Sequence, residues 1–407
     1  MRRFTLLVLV TAVSSAWAAE EQTSELPLVV VKSTPSLPGN LEEIVQVGSK
    51  TDTPIRDIPA SIVVVPKEVL RDQGVTDMNQ AMTHVSGVQP VMGGGYGFAN
   101  NFVIRGQAMR FLRDGYFDGT AQNGYWRTFA DVDRIEVLKG PGSALYGAGQ
   151  PGGTINAVTK TPRRNTAAEL STTLGSFGTL NGTADITGAL SANLAGRLIV
   201  NTEKTDGWRD LSRDIKEILP TLTWWVNDSS TLTVDYDHRE LKVTPDNYGL
   251  PFDVRRNIVS VPSTTQYYSP FNYSDQTIDR LTLSHEWLQS TDLAVRTALV
   301  QDRRSLDMVR NAGGNPGNSA DDMSGRNARQ QTDDARYLNF QNEIIWKLGN
   351  PSNRHTILGG IEFTDTSVDT MRTGYNLASI TDIYQPQVPE TTLTGSPVVA
   401  QGFDRTL

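Results

Sequence analysis

From Ala167 onward, apolar and polar residues alternate with a period of two. Leu232, Val234 and Tyr236 alternate with Thr231, Thr233, Asp235 and Asp237, and Leu281, Leu283 and Trp287 share a face against Thr282, Ser284 and Glu286. Further along, Leu338, Phe340, Ile344 and Trp346 oppose Asn339, Gln341 and Glu343, while Ile357, Ile361 and Phe363 face away from Glu362 and Thr364. Successive side chains of a strand point to opposite faces, so the pattern predicts strands with one apolar and one polar face. It predicts nine, near residues 167–175, 180–190, 193–203, 216–226, 230–240, 275–288, 291–303, 334–348 and 354–366.

The connections decide what these strands build. Those at 191–192, 227–229, 289–290 and 349–353 are short, whereas Glu203 to Ile215, Leu241 to Ser274 and Arg304 to Asp333 are long. A soluble sandwich would show the same alternation, but structureless loops of that length count against a compact soluble domain. Short turns alternating with long loops fit an outer-membrane barrel, its apolar face toward lipid and its polar face toward the lumen. An odd antiparallel set cannot close without a parallel pair, and lipid does not tolerate an open edge. The final residues, Val398 to Leu407, read as a polar segment rather than a strand end. The expectation is the N-terminal part of a longer protein.

Upstream the character changes. Between Asn101 and Pro162, short β-branched runs (Phe102–Ile104, Arg134–Leu138, Thr154–Val158) are separated by glycine clusters, which predicts a compact, loop-rich β unit. Ahead of it, Ile62–Val65 reads as a buried strand, and Pro66 opens a helix over Lys67–Gln73 that stops at Gly74. A second helix is capped by Thr76 or Asp77, and Met78, Ala81, Met82 and Val85 follow the i, i+3, i+4, i+7 spacing of a core face. Gly93–Phe98 reads as an apical loop carrying two aromatics. Gly147–Gly152 spells G-x-G-x-x-G, yet a dinucleotide site needs a helix opening at its end. Thr154–Thr159 reads as a strand instead, so the loop is a glycine-permitted turn.

Composition narrows the function. The chain has 407 residues, no cysteine and a formal charge of −8. A disulfide framework and thiolate chemistry are excluded, and a basic nucleic-acid-binding face is not supported. Its four histidines (His84, His238, His285, His355) fall into no metal-ligand spacing. Arg2-Arg3, the apolar run Phe4–Val10 and Ala16-Trp17-Ala18 form a secretory signal with cleavage after Ala18. No apolar run reaches the length of a membrane helix. Residues 19–50 form a polar leader with two short apolar segments, Leu28–Val31 and Ile44–Val47, each able to add to the sheet edge of a partner, with Ile44–Val47 equally readable as the first strand of the following domain.

With these residues in view, the chain resembles a TonB-dependent outer-membrane receptor. The resemblance rests on Pro54–Pro59, Ile104-Arg105-Gly106, Asp114-Gly115, Arg134–Pro141, Leu145-Tyr146-Gly147, Pro151-Gly152-Gly153 and Asn156–Lys160, in that order. The Gln-Pro-Gly-Gly-Thr-Ile-Asn form is more similar to the ferric-siderophore branch than to the cobalamin branch. The resemblance implies a mostly β fold: a signal peptide at 1–18, a leader with the TonB box at 19–50, an N-terminal α+β plug domain at 51–163, and an incomplete antiparallel transmembrane β-barrel at 164–407. The full-length barrel would have 22 strands. It implies uptake of a ferric siderophore by a monomer in the cell outer membrane. TonB and its inner-membrane energising complex would power that uptake. The TonB box would be Glu43, Ile44, Val45, Gln46 and Val47, with Leu26 to Val31 as fallback.

The cargo brings its own metal ligands, so no metal site, cofactor or catalytic residue is expected and the protein is no enzyme. A bulky, often anionic chelate calls for aromatic surfaces and cations. Tyr96, Phe98, Arg110, Phe111, Arg113, Tyr125, Trp126 and Arg127 in the plug, with Tyr248, Tyr267 and Tyr268 in the long barrel loop, are the candidates. Arg105, Gly106, Arg134, Glu136, Lys139, Gly140, Tyr146, Gly147, Gly152 and Gly153 are expected to build the plug. The resemblance further implies that Arg105 and Lys139 pair with carboxylates on the barrel wall. Other cargoes of the same architecture are haem, cobalamin, another metal chelate or a glycan. A secreted β-rich enzyme or adhesin lacks support, because no G-x-S-x-G or H-E-x-x-H motif is present.

Overall fold

The computed structural model describes residues 43–75, 77–91, 97–119, 124–146, 151–316, 321–350, 353–393, 397 and 399–406. The expected export signal, the leader up to residue 42 with both Leu28–Val31 and the fallback Leu26 to Val31, Thr76, Tyr96 and Gly147 lie outside the described residues.

The first sheet is assembled from short strands. In chain order the elements are β1 (Ser61–Pro66), α1 (Lys67–Asp72), α2 (Met78–Thr83), β2 (Val88–Pro90), β3 (Phe102–Ile104), β4 (Gln107–Arg113), β5 (Tyr116–Phe117), β6 (Val132–Lys139), α3 (Ser143–Tyr146) and β7 (Gly153–Thr159). The sheet runs β1-β6-β7-β4-β3-β2, with β5 on β4, and only the β4–β7 pair is parallel. Asp77 caps α2 by accepting a 3.0 Å bond from the Gln80 amide. Met78, Ala81, Met82 and Val85 all enter the core, together with Phe102, Ile104, Phe111, Ile135, Val137 and Ile155. Truncating any of the larger of these to alanine would cost about 2–5 kcal/mol. β7 begins directly after Gly152, so no helix opens there and a dinucleotide loop is ruled out.

Two of the sequence motifs are hairpin turns. Arg105-Gly106 joins β3 to β4, and Asp114-Gly115 joins β4 to β5, as two-residue loops. All four residues have positive φ (54°, 75°, 51° and 83°), as type I′ turns require. Glycine takes the second position in each because the left-handed region costs it nothing.

The second sheet is a ten-stranded antiparallel meander. It comprises β8 (Ala167–Gly175), β9 (Thr179–Ser191), β10 (Leu194–Thr205), β11 (Arg213–Asn227), β12 (Ser230–Val243), β13 (Tyr273–Leu288), β14 (Leu293–Pro316), β15 (Met323–Asn350), β16 (Asn353–Asn376) and β17 (Val399–Thr406). Each strand pairs with its chain neighbours, leaving β8 and β17 as edges. The sequence reading of nine strands is corrected to ten. The segment read as a polar end is β17, whose backbone pairs with Ser367–Gly374 of β16. Most of the expected Arg304–Asp333 loop is strand as well, paired in register between β14 and β15. Beyond the membrane the outward face of a strand no longer has to be apolar, so the alternation that reveals a strand within lipid disappears.

Within the paired region the two faces separate cleanly. Leu222, Leu299, Leu338, Phe340, Ile344, Ile361 and Phe363 are exposed on the outside. Trp224, Trp287 and Trp346 stand on that face near the short-turn end, as an aromatic girdle does. At the other limit of the apolar belt His238, Asp279, Arg303 and Arg336 lie opposite one another in register. Ten positions separate Trp346 from Arg336. At roughly 3.3 Å per residue and a tilt near 40°, that spans about 25 Å, the height of a barrel's apolar band. Among the described residues no helix is long and apolar enough to cross a membrane.

Phe340 sits near the middle of this belt. Phe340→Arg is expected to destabilise the full-length protein by about 2–4 kcal/mol in lipid vesicles, read by urea titration. An unshifted midpoint would mean that this face does not meet lipid.

Candidate functional site at the plug and lumen wall

The first sheet sits as a plug against the inner face of the second, and the contact is built from charge. On the wall, inward residues of neighbouring strands oppose each other in register: Glu217 with Arg239, and Asp237 with Arg280 and then Asp302. The plug adds Arg113 from β4 and Asp118, Arg127 and Asp131 from the segments around β5 and before β6. Arg113 pairs with Asp131 and lies 3.0 Å from Asp237. Arg239 bridges Asp131 at 2.7 Å, and also pairs with Glu217. Thr128 Oγ1 donates to Glu217 at 2.7 Å.

A second knot centres on Asp118. It receives Arg127 Nε and Arg304 Nη2, each at 2.9 Å, and Tyr125 Oη at 3.2 Å. Asp302 holds Arg304 at 2.6 Å and Arg280 at 3.2 Å, while Arg280 also donates to the Phe117 carbonyl. Burial pushes the Asp118 carboxyl up, but Arg127, Arg304 and Arg280 outweigh it and hold the group well below the usual carboxylate range. All these arginines and carboxylates are buried, and charges taken out of water persist only when paired and hydrogen-bonded.

The leader segment Glu43–Val47 lies at the opposite, short-turn end. Val45 and Val47 are buried, and Val47 packs with Leu112, Leu138 and Tyr146. The Gln46 and Val47 amides donate to one oxygen of Glu136 at 2.9 and 3.0 Å. Tyr146 Oη donates to the Gln46 carbonyl at 2.6 Å, and Asn156 Nδ2 to the Gln46 side chain at 3.2 Å. Arg134 holds the other Glu136 oxygen at 2.8 Å and approaches Glu43 at 3.9 Å. Burial pushes the Glu136 carboxyl up, against the pull of Arg134 and the leader amide. Just downstream, Lys50 pairs with Glu343, and Arg296 donates to Asp52 at 3.2 Å and to the Lys50 carbonyl at 3.1 Å.

The expected plug builders are therefore partly active in a different way. Arg134 and Glu136 pair with each other. Gly140 donates to the Gly152 carbonyl and Gly152 to that of Ala108, tying β6, β7 and β4 together next to Gly153. Arg105 is exposed and Lys139 donates to Ser86 Oγ at 3.0 Å. Burial and the neighbouring Arg105 both pull the Lys139 amine below its ordinary value. No carboxylate among the described residues pairs with either cation.

The expected cargo contacts divide in two. Phe98, Phe111, Arg113, Tyr125, Tyr267 and Tyr268, expected as cargo contacts, are buried among protein groups. Phe98 is drawn against Leu306 and Met308 of β14. Phe111 is plug core, edge-on to Phe102, with the Arg127 guanidinium 3.6 Å above its ring. Tyr125 packs on Ile215, Leu241 and Ile278 of the wall. Tyr267 belongs to a loop core with Val259, Met323, Ile380 and Ile383 and its hydroxyl donates to the Ile383 carbonyl, while the Tyr268 hydroxyl donates to the Arg209 carbonyl at 2.7 Å.

Arg110, Trp126 and Tyr248 are half-buried. Arg110 donates to the Tyr146 carbonyl and lies 4.9 Å over Phe117, beside a small polar crevice of about 40 Å³ shared with Tyr337 and Glu362. Trp126 carries the Arg213 guanidinium 5.0 Å above its ring. Arg213 and the exposed Trp208 escaped the sequence reading; the unassigned long connection after β10 was the available signal. The outer loops are clasped through Arg326 and Glu390 at 2.5 Å, with Ser269 donating to Glu390 at 2.6 Å.

Residues 54–154 match the family described as TonB-dependent Receptor Plug Domain. The catecholate siderophore receptor Fiu of Escherichia coli K12 is 27% identical over 94% of this chain and 53% of its own length. The metal-pseudopaline receptor CntO of Pseudomonas aeruginosa is 29% identical over 54% of this chain and 32% of its own. Among solved structures, the closed form of the E. coli Fiu receptor superimposes with a TM-score of 0.76 at 22% identity, covering 91% of this chain and 57% of that one. At that identity the superposition speaks for the fold. The chain spans about half the length of the curated relatives it matches.

Arg239 touches three carboxylates, Glu217 and Asp237 on its own wall and Asp131 across the boundary in the plug. Arg239→Ala is expected to cost about 3–5 kcal/mol in the full-length protein, because it strands buried carboxylates. Thermal unfolding in detergent checks this, and a shift below about 1 kcal/mol would show that the network contributes little.

Proposed function

We propose that the chain belongs to the TonB-dependent receptors, carrying their plug and part of their barrel, and that the whole protein imports a ferric siderophore across the outer membrane. The observation that carries this reading is the plug itself. Its charges interlock with the wall, so cargo cannot pass by diffusion and the plug must be displaced by work done from the periplasmic side. Glu43–Val47 lies at that side and, on this reading, is the segment TonB engages by strand addition.

The cargo arrives already chelated, so the protein's task is to recognise a rigid, partly aromatic and often anionic surface. Trp126 beneath Arg213, with Trp208 and Tyr248 at the same end, supplies rings and cations suited to that surface. The names of the relatives, catecholate siderophore receptor and metal-pseudopaline receptor, favour a metal chelate.

Deleting residues 43–47 from the full-length receptor is expected to leave binding of iron-loaded catecholate intact and to abolish its uptake by cells. Retained uptake, or growth supported by haem or cobalamin but by no ferric siderophore, would contradict the proposal.

A further inference from the structure

The leader is held in an unusual manner. Had Glu43–Val47 joined the plug sheet as a strand, a ladder of backbone bonds would have to unzip together before it could leave. Among the described residues only an isolated bridge between Ile44 and Pro54 is formed, with one bond from the Ile55 amide to the Glu43 carbonyl. The two amides that would continue a ladder, those of Gln46 and Val47, end instead on a single buried carboxylate oxygen. Glu136 projects from the middle of β6, fully shielded from solvent, and its other oxygen is fixed by Arg134. Charge-assisted bonds of this kind are worth roughly a tenfold shift in an equilibrium or more.

We propose that Glu136 is the latch of the leader: its carboxylate keeps Glu43–Val47 folded beneath the plug, and breaking that one grip frees the segment while the plug stays seated. This rests on the reading of Glu43–Val47 as the segment TonB engages. Tyr146 secures the same segment from the other side through the Gln46 carbonyl. Gly48, with φ of 81°, is the joint at which the freed segment swings. The pairs Lys50–Glu343 and Asp52–Arg296 then hold the chain to the wall immediately beyond that joint.

Asn156 supplies the link to the cargo side. It donates to Gln46 at 3.2 Å and approaches Glu136 at 3.4 Å, while its carbonyl accepts the Gly115 amide at 3.0 Å. Gly115 belongs to the turn before β5, whose Phe117 carbonyl is held by Arg280 next to the Asp118 knot. One side chain thus touches the leader, its latch and the turn that leads to the lumen charges.

The test uses the full-length receptor in detergent without chelate. Val45, which is 2% exposed, is replaced by cysteine, and this chain has no other thiol. Maleimide labelling is expected to speed up by about tenfold or more in Glu136→Ala. Tyr146→Phe, which removes only the second hold, should give a smaller rise, and Glu68→Ala, an exposed carboxylate on α1, no change. Binding of the purified TonB periplasmic domain without chelate should rise in parallel, with chelate affinity unchanged. Unaltered labelling in both Glu136→Ala and Tyr146→Phe, with the plug still protease-resistant, would overturn the latch. Faster labelling with no TonB binding, with or without chelate, would leave the latch standing and overturn the docking role of the leader.

Discussion

Plug and wall meet through five arginines and five carboxylates, nearly all out of contact with water. The division between the two sides matters more than the total. The plug contributes Arg113 and Arg127 against Asp118 and Asp131. The wall contributes Arg239, Arg280 and Arg304 against Glu217, Asp237 and Asp302. Within this set of ten each side is neutral by itself. What the pairs impose is register, since a displaced plug would set like charges together or leave a carboxylate stranded in a dry interface.

The same constraint explains the barrel's inversion of ordinary folding logic. The outer face must be apolar because lipid surrounds it, so polar residues are confined to the inside. There they are desolvated by the plug and must find partners. Cross-strand neighbours supply some, as with Glu217 and Arg239, and the plug supplies the others. The leader is treated differently. It carries buried valines but is tied by side chains rather than by a sheet ladder, so its release and the plug's retention are separate events.

Much of this was legible in the sequence. Period-two alternation located the membrane part of the strands, and Arg105-Gly106 and Asp114-Gly115 marked turns whose backbone geometry they dictate. The helix around Met78 and Met82 announced its own core face. Strands beyond the lipid were not legible, because residues 304–316 and 323–333 have no sustained outward apolar face to alternate with polar inward residues. Arg113 and Tyr125 read as cargo contacts since cations and aromatics in plug loops suit a chelate. Their partners Asp237, Arg239 and Ile215 lie roughly a hundred positions away, and nothing local states which side of a short hairpin will meet the wall. The grip of Glu136 on Gln46 and Val47 was hidden for the same reason, about ninety positions apart.

The central claim is that plug retention and leader release are separable. Hydrogen exchange of the full-length receptor in lipid, with and without ferric catecholate, tests it at the level of single amides. On loading, the Gln46 and Val47 amides should lose protection while those of β4, β6 and β7 keep theirs. Loss of protection across leader and sheet together, or none at either, would contradict the account.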